Sequence, residues 1–80
     1  MTIRAIFHIF IEPGKIKDVG EALAKMPEII AVYEVTGEYD LIATARANDL
    51  HKLRSLLSER SMKMHGVKAV TTSFSQSFYI

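Results

Sequence analysis

No cysteine occurs among the 80 residues, which excludes a disulfide framework, a thiolate nucleophile and any zinc or iron–sulfur site built on sulfur, and suits a reducing cytosol. No run of five or more charges of one sign is present either. Ten basic and nine acidic residues leave a net charge of +1, so no long-range field draws the chain to nucleic acid or anionic lipid. Nothing approaches the 18 or more uncharged apolar residues of a membrane span. The apolar start, Met1-Thr2-Ile3-Arg4-Ala5-Ile6-Phe7, ends at Glu12-Pro13-Gly14 without a small-residue cleavage site, so it reads as a strand and not as a signal peptide. A soluble, cytoplasmic protein of one domain spanning 1–80 is expected.

What the chain has is apolar surface. An apolar fraction of 49% is more than so short a chain can hide in a private core, so part of it is expected to be covered by other copies. From Thr2 to Ile11, β-branched and aromatic residues alternate, with Ile3, Ala5, Phe7, Ile9 and Ile11 on one face and Arg4, Ile6, His8 and Phe10 on the other. The half-apolar second face points to a partner subunit.

After Glu12-Pro13-Gly14 the period changes to that of a helix, with Ile16, Val19, Leu23 and Met26 in one stripe, Glu21 and Lys25 paired four apart on the wet side, and Pro27 closing the element. Gly20 inside this helix hints at a close helix–sheet contact. Ile29 to Thr36 and Leu41 to about Arg46 read as two strands of a hairpin joined through Gly37-Glu38-Tyr39-Asp40. Asn48 is a candidate cap for a second helix carrying Leu50, Leu53, Leu56 and Leu57, with Arg60 and Lys63 at its negative end and Gly66 beyond it. The last segment, Val67 to Ile80, reads as a strand longer than a small sheet needs, with Phe74, Phe78 and Ile80 on one face and Thr71, Ser73, Ser75 and Ser77 on the other. Its surplus can reach a neighbouring subunit.

The order β-α-β-β-α-β predicts an α+β, ferredoxin-like sandwich: a four-stranded antiparallel sheet with both helices on one face and the other face open. Catalytic apparatus is not visible. No serine sits in a Gly-x-Ser-x-Gly elbow, no carboxylates pair, and His8, His51 and His65 lack metal-ligand spacing, so neither a metal nor a cofactor is expected. His8 is placed at a subunit or sheet surface and His51 in solvent.

The run Val32-Tyr33-Glu34-Val35-Thr36-Gly37-Glu38-Tyr39-Asp40-Leu41, preceded by a helix ending Met26-Pro27 and followed by Gly66-Val67-Lys68, resembles the effector (RAM) domain of the Lrp/AsnC family of amino-acid-responsive regulators. The resemblance covers the whole chain and begins in the first strand, without the family's helix-turn-helix, so a stand-alone RAM protein that does not bind DNA directly is expected. It implies dimers joined through their sheets and assembled into rings of four or five dimers, octamer or decamer, with a free amino acid held where dimers meet. Full-length Lrp/AsnC regulators are further partners it implies.

The ligand contacts it implies are Gly37, Glu38, Tyr39 and Asp40 in the hairpin and Thr71, Thr72 and Ser73 in the fourth strand. Chemistry suits several of them. Gly37 lets backbone approach a ligand, ionised Asp40 accepts from an α-ammonium group, Tyr39 offers a wall or a hydroxyl, and Thr72, with Ser73 beside it, can hold a carboxylate together with backbone N–H groups. Glu38 can instead point to solvent. Where many members have Thr-x-Thr, this chain has Val70-Thr71-Thr72, a methyl group in place of one hydroxyl.

For Gly37 to Asp40 the plainer reading is a turn, which Gly and Asp favour anywhere. Two other functions stay open: a small dimeric α+β-barrel-type enzyme, with His8 or Tyr33 facing an enclosed cavity, and an assembly module that modulates full-length relatives.

Overall fold

The computed structural model describes residues 3–36 and 40–75, with 57 and 58 as backbone only. Four strands, β1 (Ile3–Ile11), β2 (Ile29–Glu34), β3 (Leu41–Ala47) and β4 (Val67–Ser75), alternate with two helical segments in the predicted order. The sheet runs β2-β3-β1-β4 and all three pairings are antiparallel. This is the ferredoxin-like arrangement, with β1 and β3 in the centre and β2 and β4 as edges.

The alternation of β1 decides which way the sheet faces. Ile3, Ala5, Phe7, Ile9 and Ile11 are all buried, while Arg4 and Ile6 are exposed and His8 and Phe10 are half-buried. Leu41, Ala43 and Ala45 of β3 lie opposite Ile9, Phe7 and Ala5 and complete the inner face. The small alanines let helices approach the sheet closely. Helix α1 (Ile16–Ala24) buries Val19 and Leu23, and Ile16 and Met26 pack beside them. It ends three residues before Pro27, which cannot continue a helix.

Gly20 faces the sheet. A β-carbon there would meet Leu41 Cδ1 at 3.7 Å, an ordinary contact, so the expected helix–sheet approach exists but has room for one methyl group. Gly20→Ala should therefore raise stability by about 0.5–1 kcal/mol, through helix propensity alone. An unchanged or lower urea midpoint would contradict this.

The second helix departs from expectation at both ends. Its cap is Asp49, not Asn48: the Asp49 carboxylate accepts from the Lys52 N–H at 2.9 Å. Helix α2 (Leu50–Ser55) then widens into a π-helical segment, Leu56–Ser61. A π segment closes its hydrogen bonds at i→i+5, one residue wider than an α-helix, and the next buried position after Leu56 among the described residues is Ser61. Leu53, Leu56 and Ser61 are buried together. Arg60 stands in the last turn of this segment, as expected, and its guanidinium also donates to Glu28 Oε2 at 2.9 Å.

That ion pair ties the start of β2 to the π segment. The Arg60 hydrogen bond, helped by Glu28's own backbone amide, lowers the Glu28 carboxyl below its ordinary value of 4.5. A lowered carboxyl contributes stability above its ordinary value and loses it as pH falls through the lowered one. Both partners are partly exposed, so Glu28→Gln should cost a few tenths to about 1 kcal/mol at neutral pH. The difference between variant and parent should shrink as pH falls below 4.5 in urea titrations. A gap that stays constant down to pH 3 would refute it.

Candidate ligand site: the β2–β3 hairpin and strand β4

The hairpin loop closes as its sequence suggests. Beyond the last β2–β3 pair, Glu34 with Leu41, the Val35 N–H donates to the Asp40 carbonyl at 3.1 Å. Gly37, Glu38 and Tyr39 lie outside the described residues. Asp40 does not, and its position is specific: its own N–H donates to the Ile9 carbonyl at 3.2 Å, and its carboxylate Oδ2 accepts from the Ile11 N–H at 2.7 Å.

The second bond explains why an acid stands there. The β1–β3 ladder stops at Ile9 with Leu41, and the β1–β4 register shifts between Phe10 and Ile11. The amide of Ile11, a buried residue, has outrun its strand partner on the β3 side, and an unpaired buried N–H costs about 1–3 kcal/mol. Asp40 supplies a side-chain acceptor where the next rung would have been. One oxygen of the carboxylate is thus structural. No signal in the sequence pointed to Ile11, 29 residues away from Asp40.

On β4, Thr71 pairs with His8, Thr72 with Phe7 and Ser73 with Ile6. The three hydroxyl residues therefore divide between two faces. Thr71 and Ser73 are exposed on the open face of the sheet, and Thr72 sits with Phe7 on the helix side, its Oγ1 buried without a hydrogen-bond partner among the described residues. Asp40 approaches β1 from the β3 side and the hydroxyls approach it from the β4 side. Two strand spacings separate them, about 10 Å across the sheet. Within one copy of the chain, the described hairpin and strand residues do not converge on a ligand the size of an amino acid.

The open face carries apolar side chains. Ile6, Ile30 and Tyr33 are 40%, 53% and 55% exposed, and Ile42 and Phe10 are half-buried. His8 and Tyr33 pair across the sheet with Ile42 on this outer side, away from the layer that Phe7, Ile9, Leu23, Leu53 and Leu56 fill completely. An enzyme pocket between sheet and helices with His8 or Tyr33 as its polar group has no counterpart in this arrangement.

Two shallow depressions lie elsewhere. One, of about 430 Å³, sits at the far end of the sheet from the hairpin and is lined by Pro27, Glu28, Arg46, Ala47, Asn48 and Lys52. The other, of about 460 Å³, runs between α1 and the β2 edge past Gly20 and Val32. Neither contains a residue singled out for ligand binding from the sequence.

Residues 4–80 match the family model of the Lrp/AsnC ligand binding domain. The chain belongs to this family. Among curated relatives, an uncharacterized HTH-type transcriptional regulator of Pyrococcus horikoshii is 37% identical over 71 residues, 89% of this chain and 45% of that protein. The HTH-type transcriptional regulator Ptr1 of Methanocaldococcus jannaschii is 34% identical over 70% of this chain and 38% of its own length. The chain spans less than half the length of these curated relatives.

Among solved structures, that of TTHA0845 from Thermus thermophilus superposes with a TM-score of 0.91 at 31% identity, covering 98% of both chains. The transcriptional regulator NMB0573 of Neisseria meningitidis, solved as a complex with L-Met, superposes with a TM-score of 0.83 over 94% of this chain and 50% of its own. At 22% identity the likeness is one of fold alone.

Proposed function

We propose that this Lrp/AsnC ligand-binding domain is a regulatory, non-enzymatic module that holds a free amino acid at a contact between copies of itself. The observation that carries the reading is the family match over residues 4–80. The geometry supports it in two ways. The open sheet face exposes Ile6, Ile30 and Tyr33, apolar surface that a second copy would cover by packing sheet on sheet. And because Asp40 and the β4 hydroxyls are too far apart to meet within one copy, a site using both needs residues from two.

In this reading the second oxygen of Asp40 takes the ligand's ammonium, with Gly37, Glu38 and Tyr39 forming the rest of the hairpin wall. Thr71 and Ser73 are placed to hold its carboxylate, and Thr72 contributes through the strand edge and not through the open face. Dimers then build a larger ring, of octamer or decamer size, and longer HTH-bearing relatives are candidate partners in mixed rings. No helix among the described residues is long and apolar enough to cross a membrane; we place the protein in the cytoplasm.

The test is a thermal-shift screen against the twenty amino acids, run on the parent and on two Asp40 variants. A ligand at 100 times its dissociation constant stabilises by about 2.7 kcal/mol, and a domain this small moves about 4–8 °C per kcal/mol. Asp40→Ala removes both the structural acceptor and the charge, so it should lower the ligand-free melting temperature through the loss of about 1–3 kcal/mol. Asp40→Asn keeps an oxygen for the Ile11 amide and loses only the charge. It should melt within a few degrees of the parent and yet show no ligand shift. A ligand shift that persists in Asp40→Asn, or no shift of the parent with any amino acid at saturation, would overturn the assignment.

A further inference from the structure

The end of the sheet away from the hairpin is cationic. The depression of about 430 Å³ there has Glu28, Arg46, Asn48 and Lys52 in its lining. Glu28 is the one acid among the lining residues, and its Oε2 is taken by Arg60 at 2.9 Å. Arg46 and Lys52 are exposed, and neither has an ion pair among the described residues. We propose that this depression binds a compact dianion, a phosphoryl or dicarboxylate compound held between Arg46 and Lys52 with the Asn48 amide as a further donor.

Three cations share one carboxylate here. The hydrogen bond from Arg60, the backbone amide of Glu28 and, more weakly, the charge of Lys52 hold the Glu28 carboxyl below 4.5. It is therefore ionised at neutral pH and offsets one positive charge of the three. Asp49, beside Asn48 in the chain, commits its carboxylate to the Lys52 N–H at 2.9 Å as the cap of α2. The surplus is local, because the whole chain carries only +1. A dianion that faces Arg46 and Lys52 together relieves their mutual repulsion and gains charge-assisted hydrogen bonds, whereas a monoanion can satisfy only one of them. The planar fork of arginine matches carboxylate and phosphoryl oxygens alike, and lysine adds a point charge beside it.

Hydrogen bonds hold the walls of the depression. The Arg46 N–H donates to the Glu28 carbonyl at 3.0 Å, so the two chain segments that carry the lining are tied to each other. The Asp49 cap fixes where Lys52 leaves α2, and the Glu28–Arg60 pair ties the start of β2 to the π segment. Ordering on binding is then confined to the side chains of Arg46 and Lys52, which limits its entropic cost. A volume of about 430 Å³ is in the range of small-molecule clefts, and the charged lining suits a polar ligand. The amino-acid site proposed around Asp40 lies at the opposite end of the sheet, and the two stand or fall separately.

An amide NMR titration with inorganic phosphate, succinate and acetate tests this, at constant ionic strength and mildly alkaline pH, where phosphate is a dianion. Expected are saturable shifts of the Ala47, Asn48 and Lys52 amides with a dianion, at lower concentration than with acetate. Saturation by phosphate alone assigns a phosphoryl ligand, and saturation by succinate alone a dicarboxylate. Arg46→Gln and Lys52→Gln should each weaken binding roughly tenfold. Glu28→Gln, which removes the acid and releases Arg60, should tighten it. Lys17→Gln makes the same change of charge at the other depression and should leave binding unaltered, as should Asp40→Asn. Non-saturable shifts with both dianions, equal affinity for acetate, a loss in Lys17→Gln as large as in Lys52→Gln, or weaker binding in Glu28→Gln would each overturn the proposal.

Discussion

Phe7→Ala is expected to cost about 3–5 kcal/mol, a large part of the whole stability of a domain this small. Phe7 is fully buried at the centre of β1, opposite Ala43 on one side and Thr72 on the other. Both neighbours are too small to swell into the space a lost ring leaves, and the helices above it already have Leu23, Leu53 and Leu56 packed to zero or near-zero exposure. Partial collapse is therefore limited and the cavity term is added to the transfer term. Urea unfolding should show the midpoint falling with the slope unchanged. The adjacent Ile6, on the open face and 40% exposed, is the control. Ile6→Ala should leave the fold of a single copy within about 1 kcal/mol of the parent. Similar losses at the two positions would mean that the sheet faces the other way.

Gly66→Ala should be the second severe change, with a loss on the order of 2–4 kcal/mol. Gly66 is buried in the turn before β4, at a φ of +97°, and its carbonyl accepts from the Glu12 N–H at 2.8 Å. Two costs combine in any side chain there. A positive φ strains an L residue, and a β-carbon would stand 2.7 Å from Lys15 Cβ, at the start of α1. The two are separable, because the obstructing atoms are the first two carbons of one side chain. In the double variant Gly66→Ala with Lys15→Gly the collision is gone and the strain remains, so about half of the loss should return. Full recovery would show that the backbone conformation is not strained; no recovery would show that the collision is harmless.

How much of this was legible beforehand depends on what each feature draws on. The faces of β1 follow from strict alternation over nine residues, and the stripe of α1 follows from four apolar positions, so both are visible in the sequence. The sheet order follows from the handedness of the two crossovers. The π segment is not visible in this way. Leu56, Leu57 and Arg60 fit an ordinary helical stripe, and only packing reveals that Ser61 takes the inner place. The cap moved by one residue because Asn48 and Asp49 are chemically alike as acceptors, and the chain's path alone selects between them.

At the candidate site, the place of the hairpin between β2 and β3 was legible. The division of Thr71, Thr72 and Ser73 between faces also follows from alternation, but their distance from Asp40 depends on β1 running between them. The bond from Ile11 to Asp40 and the ion pair of Glu28 with Arg60 join residues about thirty apart in sequence, where no local pattern operates. The strand positions expected for Ser77, Phe78 and Ile80 lie outside the described residues.

The bond between Asp40 and Ile11 has a consequence for selectivity. A free carboxylate can grip a guanidinium with both oxygens in parallel, the fork-to-fork geometry that favours arginine-like groups. With Oδ2 held at 2.7 Å by a main-chain amide, one lone pair and the direction of that oxygen are committed, and Oδ1 is the less constrained acceptor. In the proposed site this would suit a compact, point-like ammonium better than a planar fork that needs both oxygens aligned. In the site we propose, the hydrogen bond that finishes the edge of the ladder would thereby also bias which cations are held.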